Sequence, residues 1–252
     1  MALIADLGNP KARQAASDLT GRYTFVMEAS ADVGIVVGGD GFMLHTLHRL
    51  LHEGRSLPLY GLNCGTVGFL LNRYQPEQLT ERVVQAQSTV LHPLQMRTVD
   101  TAGHETTRLA INEVSLIRAS AQSARIRVGV DGREQFVDLL GDGLVVSTAA
   151  GSTAYNRSAG GPIIPLTARL LAVTPVAAFR PRGWRGALLA SDAEIRLYVL
   201  EGDKRPVKAA ADHQEVDGVR EVVISERPEQ AMTLLFDPNH TLEARILAEQ
   251  SY

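Results

Sequence analysis

Val33-Gly-Ile-Val-Val37, then Gly38-Gly-Asp-Gly41, then Phe42-Met-Leu-His-Thr-Leu-His-Arg-Leu-Leu51 reads as strand, turn and helix in immediate succession. Residues 33–37 are apolar without polar alternation, the pattern of a strand covered on both faces. Met43, Leu44, Leu47, Leu50 and Leu51 recur at helical spacing, and Gly54 ends the pattern. A buried strand feeding a helix through a glycine turn is the building block of a parallel α/β sheet. The theme extends outward: residues 2–5 and 57–62 read as strands, 9–19 and 76–87 as helices, the first opened by Pro10.

Beyond residue 94 the texture changes. Residues 108–117, 124–130, 144–147, 195–200, 206–211, 219–225 and 232–236 read as strands, several parted by turns such as Asp131-Gly132 and Asp217-Gly218. Residues 241–250 read as a helix with Leu242, Ile246 and Leu247 as its apolar stripe, expected to pack back on the first domain. The expected fold is α/β: a Rossmann-like domain of residues 1–94 and 238–252, and a β-rich, sandwich-like domain of residues 95–237.

Composition narrows the function classes. The chain has 252 residues, 45% hydrophobic and 21% charged, as a globular protein does. A net charge of −3, with only Lys11, Lys204 and Lys208 as lysines, gives no reason to expect nucleic acid. Cys64 stands alone, which excludes an intrachain disulfide framework and fits a reducing compartment. No basic region followed by a long apolar core opens the chain, and no run approaches the roughly 20 apolar residues of a membrane helix. The expectation is a cytoplasmic protein with no membrane partner.

Gly38-Gly39-Asp40-Gly41 sits where an α/β sheet places its ligand, at the carboxyl end of a strand. Its glycines allow close approach of backbone N–H groups to phosphate oxygens, and the helix N-terminus adds partial positive charge. Asp40 would repel a phosphate, so it either caps the helix or touches a hydroxyl or a hydrated metal ion. The turn is neither a Walker loop nor G-x-G-x-x-G. Asn63-Cys64-Gly65-Thr66-Val67-Gly68-Phe69 repeats the strand-then-glycine logic and could line the same crevice. Asn112-Glu113 interrupts the apolar strand 108–117, with one of the pair facing a cleft or both lying on an edge strand. Asp212-His213-Gln214 reads as a loop. His45, His48 and His52 share a helix flank at a spacing that could hold a metal, but the offset from the leucine face favours a solvated flank; Arg180, Arg182 and Arg185 around Trp184 form a basic patch that could meet phosphates or be an exposed turn.

The longest polar segment is Gly141-Asp-Gly-Leu-Val-Val-Ser-Thr-Ala-Ala-Gly-Ser-Thr-Ala-Tyr-Asn-Arg-Ser158, running on to Pro162-Ile-Ile-Pro165. After Val146 it is nearly all small or hydroxylic, suited to backbone approach and hydrogen bonding, with Tyr155 as a stacking plate. A Gly/Ser linker has the same composition. Asp142 at its start and the proline-bounded pair at its end argue against one.

Together these islands resemble the NAD kinase family (ATP- or polyphosphate-dependent NAD kinases), over nearly the whole chain. Gly-Gly-Asp-Gly alone is shared with diacylglycerol-type lipid kinases and phosphofructokinases; the segment around Gly151-Ser-Thr-Ala-Tyr155 is far more specific. The resemblance implies transfer of a phosphoryl group from ATP or polyphosphate to the 2′-hydroxyl of the adenosine ribose of NAD, with Mg²⁺ or another divalent cation. It implies Asp40 as the catalytic residue. Gly38, Gly39, Gly41, Asn63 and Thr66 would bind the phosphate donor. Asp40, Gly41, Phe69, Asn112, Glu113, Asp142, Thr153, Ala154, Tyr155, Ser158, Asp212 and His213 would bind NAD. A homodimer or homotetramer is implied, with Asp142 and His213 acting across a subunit boundary. Two departures stand out. Ala149-Ala150 replaces a Pro-Thr of the family pattern, removing a hydroxyl and some rigidity. Ala178-Phe179-Arg180, after Thr174-Pro175, lacks the family's Pro-His.

Overall fold

The computed structural model describes residues 1–65 and 68–238, apart from the side chains of residues 134 and 135. The chain divides into two compact units, Met1–Leu91 with Gln230–Tyr252, and His92–Glu229. The expected helix 241–250 lies outside the described residues, as does Thr66.

The first unit opens with β1 (Ala2–Ala5), α1 (Pro10–Arg22), β2 (Gly34–Gly38), α2 (Asp40–His52) and β3 (Leu59–Asn63), followed by the short β4 (Asn72–Arg73), α3 (Leu79–Gln85) and β5 (Gln87–Leu91). Strands β1, β2 and β3 pair in parallel, and β4 pairs with β3 in the same sense. Alternate residues of β2 and β3 explain why both read as unbroken apolar runs. Ile35, Val37, Tyr60 and Leu62 join Ala12, Ala15 and Leu19 of α1 in one buried cluster. On α2, Met43, Thr46, Leu47 and Leu50 are buried. A Cβ on Gly61 would stand 2.6 Å from Met43 Cε, so α2 approaches β3 there as closely as glycine permits. Asn9 starts α1 by accepting the Lys11 N–H, and Pro10 follows at the first helical position, where its missing N–H costs nothing. The expected helix 76–87 is shorter than its pattern, because residues 87–91 are drawn into β5.

The second unit contains β6 (Leu94–Asp100), β7 (Glu105–Ala110), β8 (Glu113–Arg118), β9 (Ala124–Val130), β10 (Arg133–Gly141), β11 (Gly143–Ser147), a one-turn α4 (Tyr155–Ser158), β12 (Leu170–Val176), β13 (Ala187–Ala190), β14 (Ile195–Val199), β15 (Val207–Ala211), β16 (Gln214–Val216) and β17 (Val219–Glu226). They form two antiparallel sheets, ordered β10-β9-β14-β17-β6-β7 and β13-β12-β11-β8-β15-β16. Alternating residues of both sheets meet in one core: Met96, Ile126, Val128, Leu197 and Val222 from the first, Val114, Leu116, Leu144, Val146 and Val173 from the second. Strand β11 is buried along its whole length. Gly143 admits the Leu116 carbonyl where any Cβ would collide with it.

The last described strand, β18 (Met232–Phe236), corrects the sequence reading. It was expected in the β-rich domain, but it pairs in parallel with β3 and antiparallel with β5, completing the first sheet in the order β1-β2-β3-β18-β5. Asn72 and Asp237 fix the junction: Asn72 Nδ2 donates to Leu235 O at 2.9 Å, and Asp237 N–H donates to Asn72 Oδ1 at 2.8 Å. Among the described residues no helix is long and apolar enough to cross a membrane.

Candidate active site

In the first unit the site is built on the carboxyl ends of β2 and β3, which lie side by side with Gly38 opposite Asn63. Gly39, in extended conformation, is the N-cap of α2; its carbonyl accepts the Phe42 and Met43 N–H groups, both at 3.0 Å. Asp40 is therefore not the cap but the first helical residue. Its carboxylate is aimed sideways: Oδ2 accepts the Phe69 N–H at 2.8 Å and Oδ1 the Leu70 N–H at 3.0 Å. Asp40 thus fastens the segment after β3 to the start of α2, and that fastening sets the direction of the carboxylate.

The glycines of the turn separate by cause. A Cβ on Gly38 would stand 2.9 Å from the Phe42 ring, whereas one on Gly39 or Gly41 would meet nothing within 4 Å among the described residues. Packing by the described residues accounts for Gly38 and not for Gly39 or Gly41. Asn63 organises the neighbouring loop: its Oδ1 accepts the Gly65 N–H at 2.8 Å, and a Cβ on Gly68 would stand 2.9 Å from its Cγ. The Cys64 N–H donates to Gly38 O at 2.7 Å, joining the two glycine-rich islands through the backbone.

In the second unit the decisive region is the corner between β7 and β8. The sequence reads residues 108–117 as one strand, but the chain turns at Ile111-Asn112. It passes from the edge of one sheet, where β7 lies, to the interior of the other, where β8 sits between β11 and β15. Asn112-Glu113 lies at a corner and not on an edge strand. Every peptide group of the corner is occupied. The Asp212 carboxylate accepts the N–H groups of Ile111 at 2.7 Å and of Asn112 and Glu113 at 3.0 Å each. Ile111 O accepts from Thr148 Oγ1 at 2.7 Å, Asn112 O from Thr148 N–H at 2.9 Å and Glu113 O from Asp212 N–H at 3.0 Å. The side chains are the reverse: Asn112 Oδ1 and Glu113 Oε2 are buried with no partner among the described residues. Such atoms call for a ligand or water. Burial, and then the neighbouring Asp212 charge, push the Glu113 carboxyl up to about 7, opposed by the backbone N–H it accepts from Tyr155.

The hydroxylic segment after β11 is a folded lid on its own strand, not a linker. Ser152 Oγ donates to Ala149 O at 2.7 Å and accepts the Ile164 N–H at 3.0 Å. Asn156 is buried and satisfied: Nδ2 donates to Pro162 O at 2.8 Å, and Oδ1 accepts from Thr174 Oγ1 at 2.6 Å. Gly151 lies against the Asn112 peptide, where a Cβ would stand 2.6 Å from Asn112 Cα and nearer still to its carbonyl. Thr148 Oγ1 accepts the Gly151 N–H at 3.1 Å, so the turn through Ala149-Ala150 closes without the hydroxyl that the family pattern carries there.

The remaining expected residues divide. Thr153, Ala154 and Tyr155 follow in half-buried positions, and burial, Asp142 and Glu113 all push the Tyr155 phenol up. Ser158 and His213 are exposed. Asp142 is half-exposed and accepts Arg118 Nε at 2.6 Å. Sequence reasoning missed Thr148, Gly151, Asn156 and Arg118. The signal for three of them was the density of small and hydroxylic residues, read there as ligand-facing when much of it serves internal closure.

A sequence model of the ATP-NAD kinase C-terminal domain matches residues 111–230. An NAD kinase of Rhizobium meliloti is 52% identical over 98% of this chain and 96% of its own length. Among solved structures, an NAD kinase from Archaeoglobus fulgidus in complex with ATP superposes with a TM-score of 0.77 at 22% identity, covering 98% of each chain. A yeast NADH kinase complexed with NADH superposes with the same TM-score, 0.77, at 21% identity; the match covers 88% of this chain and 66% of the yeast one. The glycine turn with its oriented carboxylate, the clasped Asn112-Glu113 corner and a full-length relative of this identity lead to one assignment: the chain belongs to the NAD kinase family.

Proposed function

We propose that this chain phosphorylates the 2′-hydroxyl of the adenosine ribose of NAD to give NADP, with ATP as phosphoryl donor. The observation that carries the reading is the pair of buried acceptors without a partner among the described residues, Asn112 Oδ1 and Glu113 Oε2, on a corner whose peptide groups are all satisfied. Acceptors held this way suit the hydroxyl and amide groups of a nucleoside. A carboxyl near 7 suits a ligand hydroxyl as well, since it donates when protonated and accepts when ionised. Tyr155 offers its ring to a base or to nicotinamide. Thr153 and Ala154 lie beside it in the chain, and in the first unit Phe69 and Gly41 are assigned to NAD as well. Ser158, Asp142 and His213 are accessible for contacts within the same subunit or from a neighbour. A homodimer or homotetramer is the assembly this implies, and the cytoplasm the setting.

The donor half is Gly38, Gly39 and Gly41, with Asn63 and Thr66. The open space over Gly39 and Gly41 lets phosphate oxygens reach the N–H groups at the start of α2, where the helix end adds partial positive charge. Mg²⁺ fits this site as a cation carried by the substrate. Among the described residues no three His, Cys, Asp or Glu side chains converge. Mg²⁺ is commonly held by one or two carboxylates, water and phosphate oxygens, for which Asp40 is the available carboxylate. When bound, the metal would offset charge between two anionic substrates.

Asp40 is assigned the positioning of the attacking hydroxyl. The transition state of phosphoryl transfer is loose, so early deprotonation gains little and alignment gains more. The deciding experiment is NADP formation from NAD, ATP and Mg²⁺ by the purified chain, repeated with Asp40→Asn. Turnover should fall by about 100-fold or more with NAD affinity preserved, as expected for a group acting in the transition state. Turnover within threefold of wild type would remove Asp40 from that role.

A further inference from the structure

We propose that Asp212 is a positioning residue of the NAD site, holding the backbone of residues 111–113 so that the Asn112 and Glu113 side chains face the dinucleotide, and acting through them without touching the dinucleotide itself. The inference rests on the NAD kinase reading of that corner and changes what the sequence suggested for Asp212.

Asp212 stands in the two-residue turn between β15 and β16 with φ +50°, the left-handed region that favours glycine and tolerates Asp and Asn. Its side chain leaves the turn and enters the β7–β8 corner. One carboxylate there serves three consecutive N–H groups, Ile111 through Oδ2 and Asn112 and Glu113 through Oδ1. Consecutive N–H groups converging on one point form an anion nest, filled here by a residue about a hundred positions away in the chain. The Asp212 N–H donates back to Glu113 O at 3.0 Å, so turn and corner hold each other in both directions.

The opposite side of the corner is held by Thr148 and pressed by Gly151, which fixes the carbonyls but not the N–H groups. Removing the Asp212 carboxylate therefore frees three donors at once and leaves the Asn112 and Glu113 peptide units, which are planar, held from the carbonyl side alone. Pulled from one side only, the corner shifts toward Thr148 and carries the Asn112 and Glu113 side chains with it. The carboxylate also faces Glu113. Among the described residues, the titratable groups acting on Glu113 are Asp212 from the β15–β16 turn and Tyr155 from α4, itself beside Asp142. The Asp212 charge contributes to holding Glu113 partly protonated at neutral pH.

The test uses two variants of the full chain. Asp212→Asn keeps the size and the left-handed turn while losing the charge and one acceptor; Asp212→Gly keeps the turn and loses the side chain. Amide hydrogen exchange of residues 111–113, measured without substrate, should accelerate about tenfold or more at all three in Asp212→Gly, where every donor loses its acceptor, and at one or more of them in Asp212→Asn, which keeps one acceptor oxygen. KM for NAD should rise by about tenfold or more, as a misplacement near 1 Å produces, with kcat at saturating NAD within about threefold. In Asp212→Asn the ionisation near pH 7 in the kcat/KM profile for NAD should move to lower pH. A residue that served stability alone would lower the melting temperature but leave the pH profile and the ratio of KM to kcat unchanged, which would overturn the proposal. Wild-type exchange rates at 111–113, a loss of kcat with KM preserved, or failure of both variants to fold would overturn it as well. If the wild-type chain makes no NADP, the functional reading fails, and the exchange rates still decide what Asp212 holds.

Discussion

Replacing Gly151 with alanine drives a methyl group into the Asn112 peptide. The new Cβ would stand 2.6 Å from Asn112 Cα, and carbon atoms that need about 3.5 Å must part by roughly 1 Å. The Asn112 peptide cannot yield freely, because its carbonyl accepts the Thr148 N–H at 2.9 Å and its N–H is held by Asp212 at 3.0 Å. Overpacking of this kind costs about 1–3 kcal/mol, and a broken hydrogen bond adds about 1 kcal/mol. Urea unfolding should thus record a loss of about 2–4 kcal/mol. The displacement falls on the residue assigned to NAD, so kcat/KM for NAD should drop about 100-fold, while KM for ATP stays within about twofold because the donor turn belongs to the other unit. A Gly151→Ala protein within about 0.5 kcal/mol of wild type, and with NAD kinetics unchanged, would refute the claim that Gly151 exists to admit the Asn112 peptide.

Gly41→Ala is the converse case: among the described residues nothing lies within 4 Å of the new Cβ, and Gly41 is helical, so the variant should be more stable by about 0.5–1 kcal/mol while KM for ATP rises. Calorimetry and donor kinetics check it, and an unchanged KM would mean that no phosphate approaches there. Tyr155→Ala removes the ring but keeps the N–H that Glu113 accepts, so NAD affinity should weaken with the fold intact; unchanged affinity by calorimetric titration would take the ring out of the site. Glu113 titrates near 7 in the folded chain against an ordinary 4.5, so its protonation favours folding. That contribution is complete below about pH 4.5 and is lost as pH rises through about 7. Glu113→Gln should therefore gain stability relative to wild type between pH 5 and pH 8, and parallel urea midpoints across that range would contradict the shift.

The strand–turn–helix of residues 33–51 was legible because each of its signals is local: an unbroken apolar run, glycines, then helical spacing. The same locality misled at residues 108–117. Glu113 to Ile117 continues an apolar pattern, and nothing nearby in the sequence says that the chain leaves one sheet for the other at Ile111-Asn112. The reason is Asp212, whose partners are about a hundred residues away. Residues 232–236 look like any sandwich strand; their place beside β3 is set by burial in a sheet whose other members lie at the start of the chain. The small residues after Val146 stand out in the sequence, but composition cannot separate a glycine that admits a ligand from one that admits a neighbouring peptide. Gly41 and Gly151 differ in that respect, and only the atoms around each tell them apart.

The position of β18 has a consequence for synthesis. On the ribosome, β3 and β5 emerge early, and the strand that belongs between them follows only after the whole of His92–Glu229. At 5–20 residues per second that interval is roughly 7–30 s, and for its duration the nascent sheet carries an open slot with unpaired backbone on both sides. Open strand edges recruit other chains. The second unit, contiguous in sequence and built around its own core, is the part able to fold during the wait.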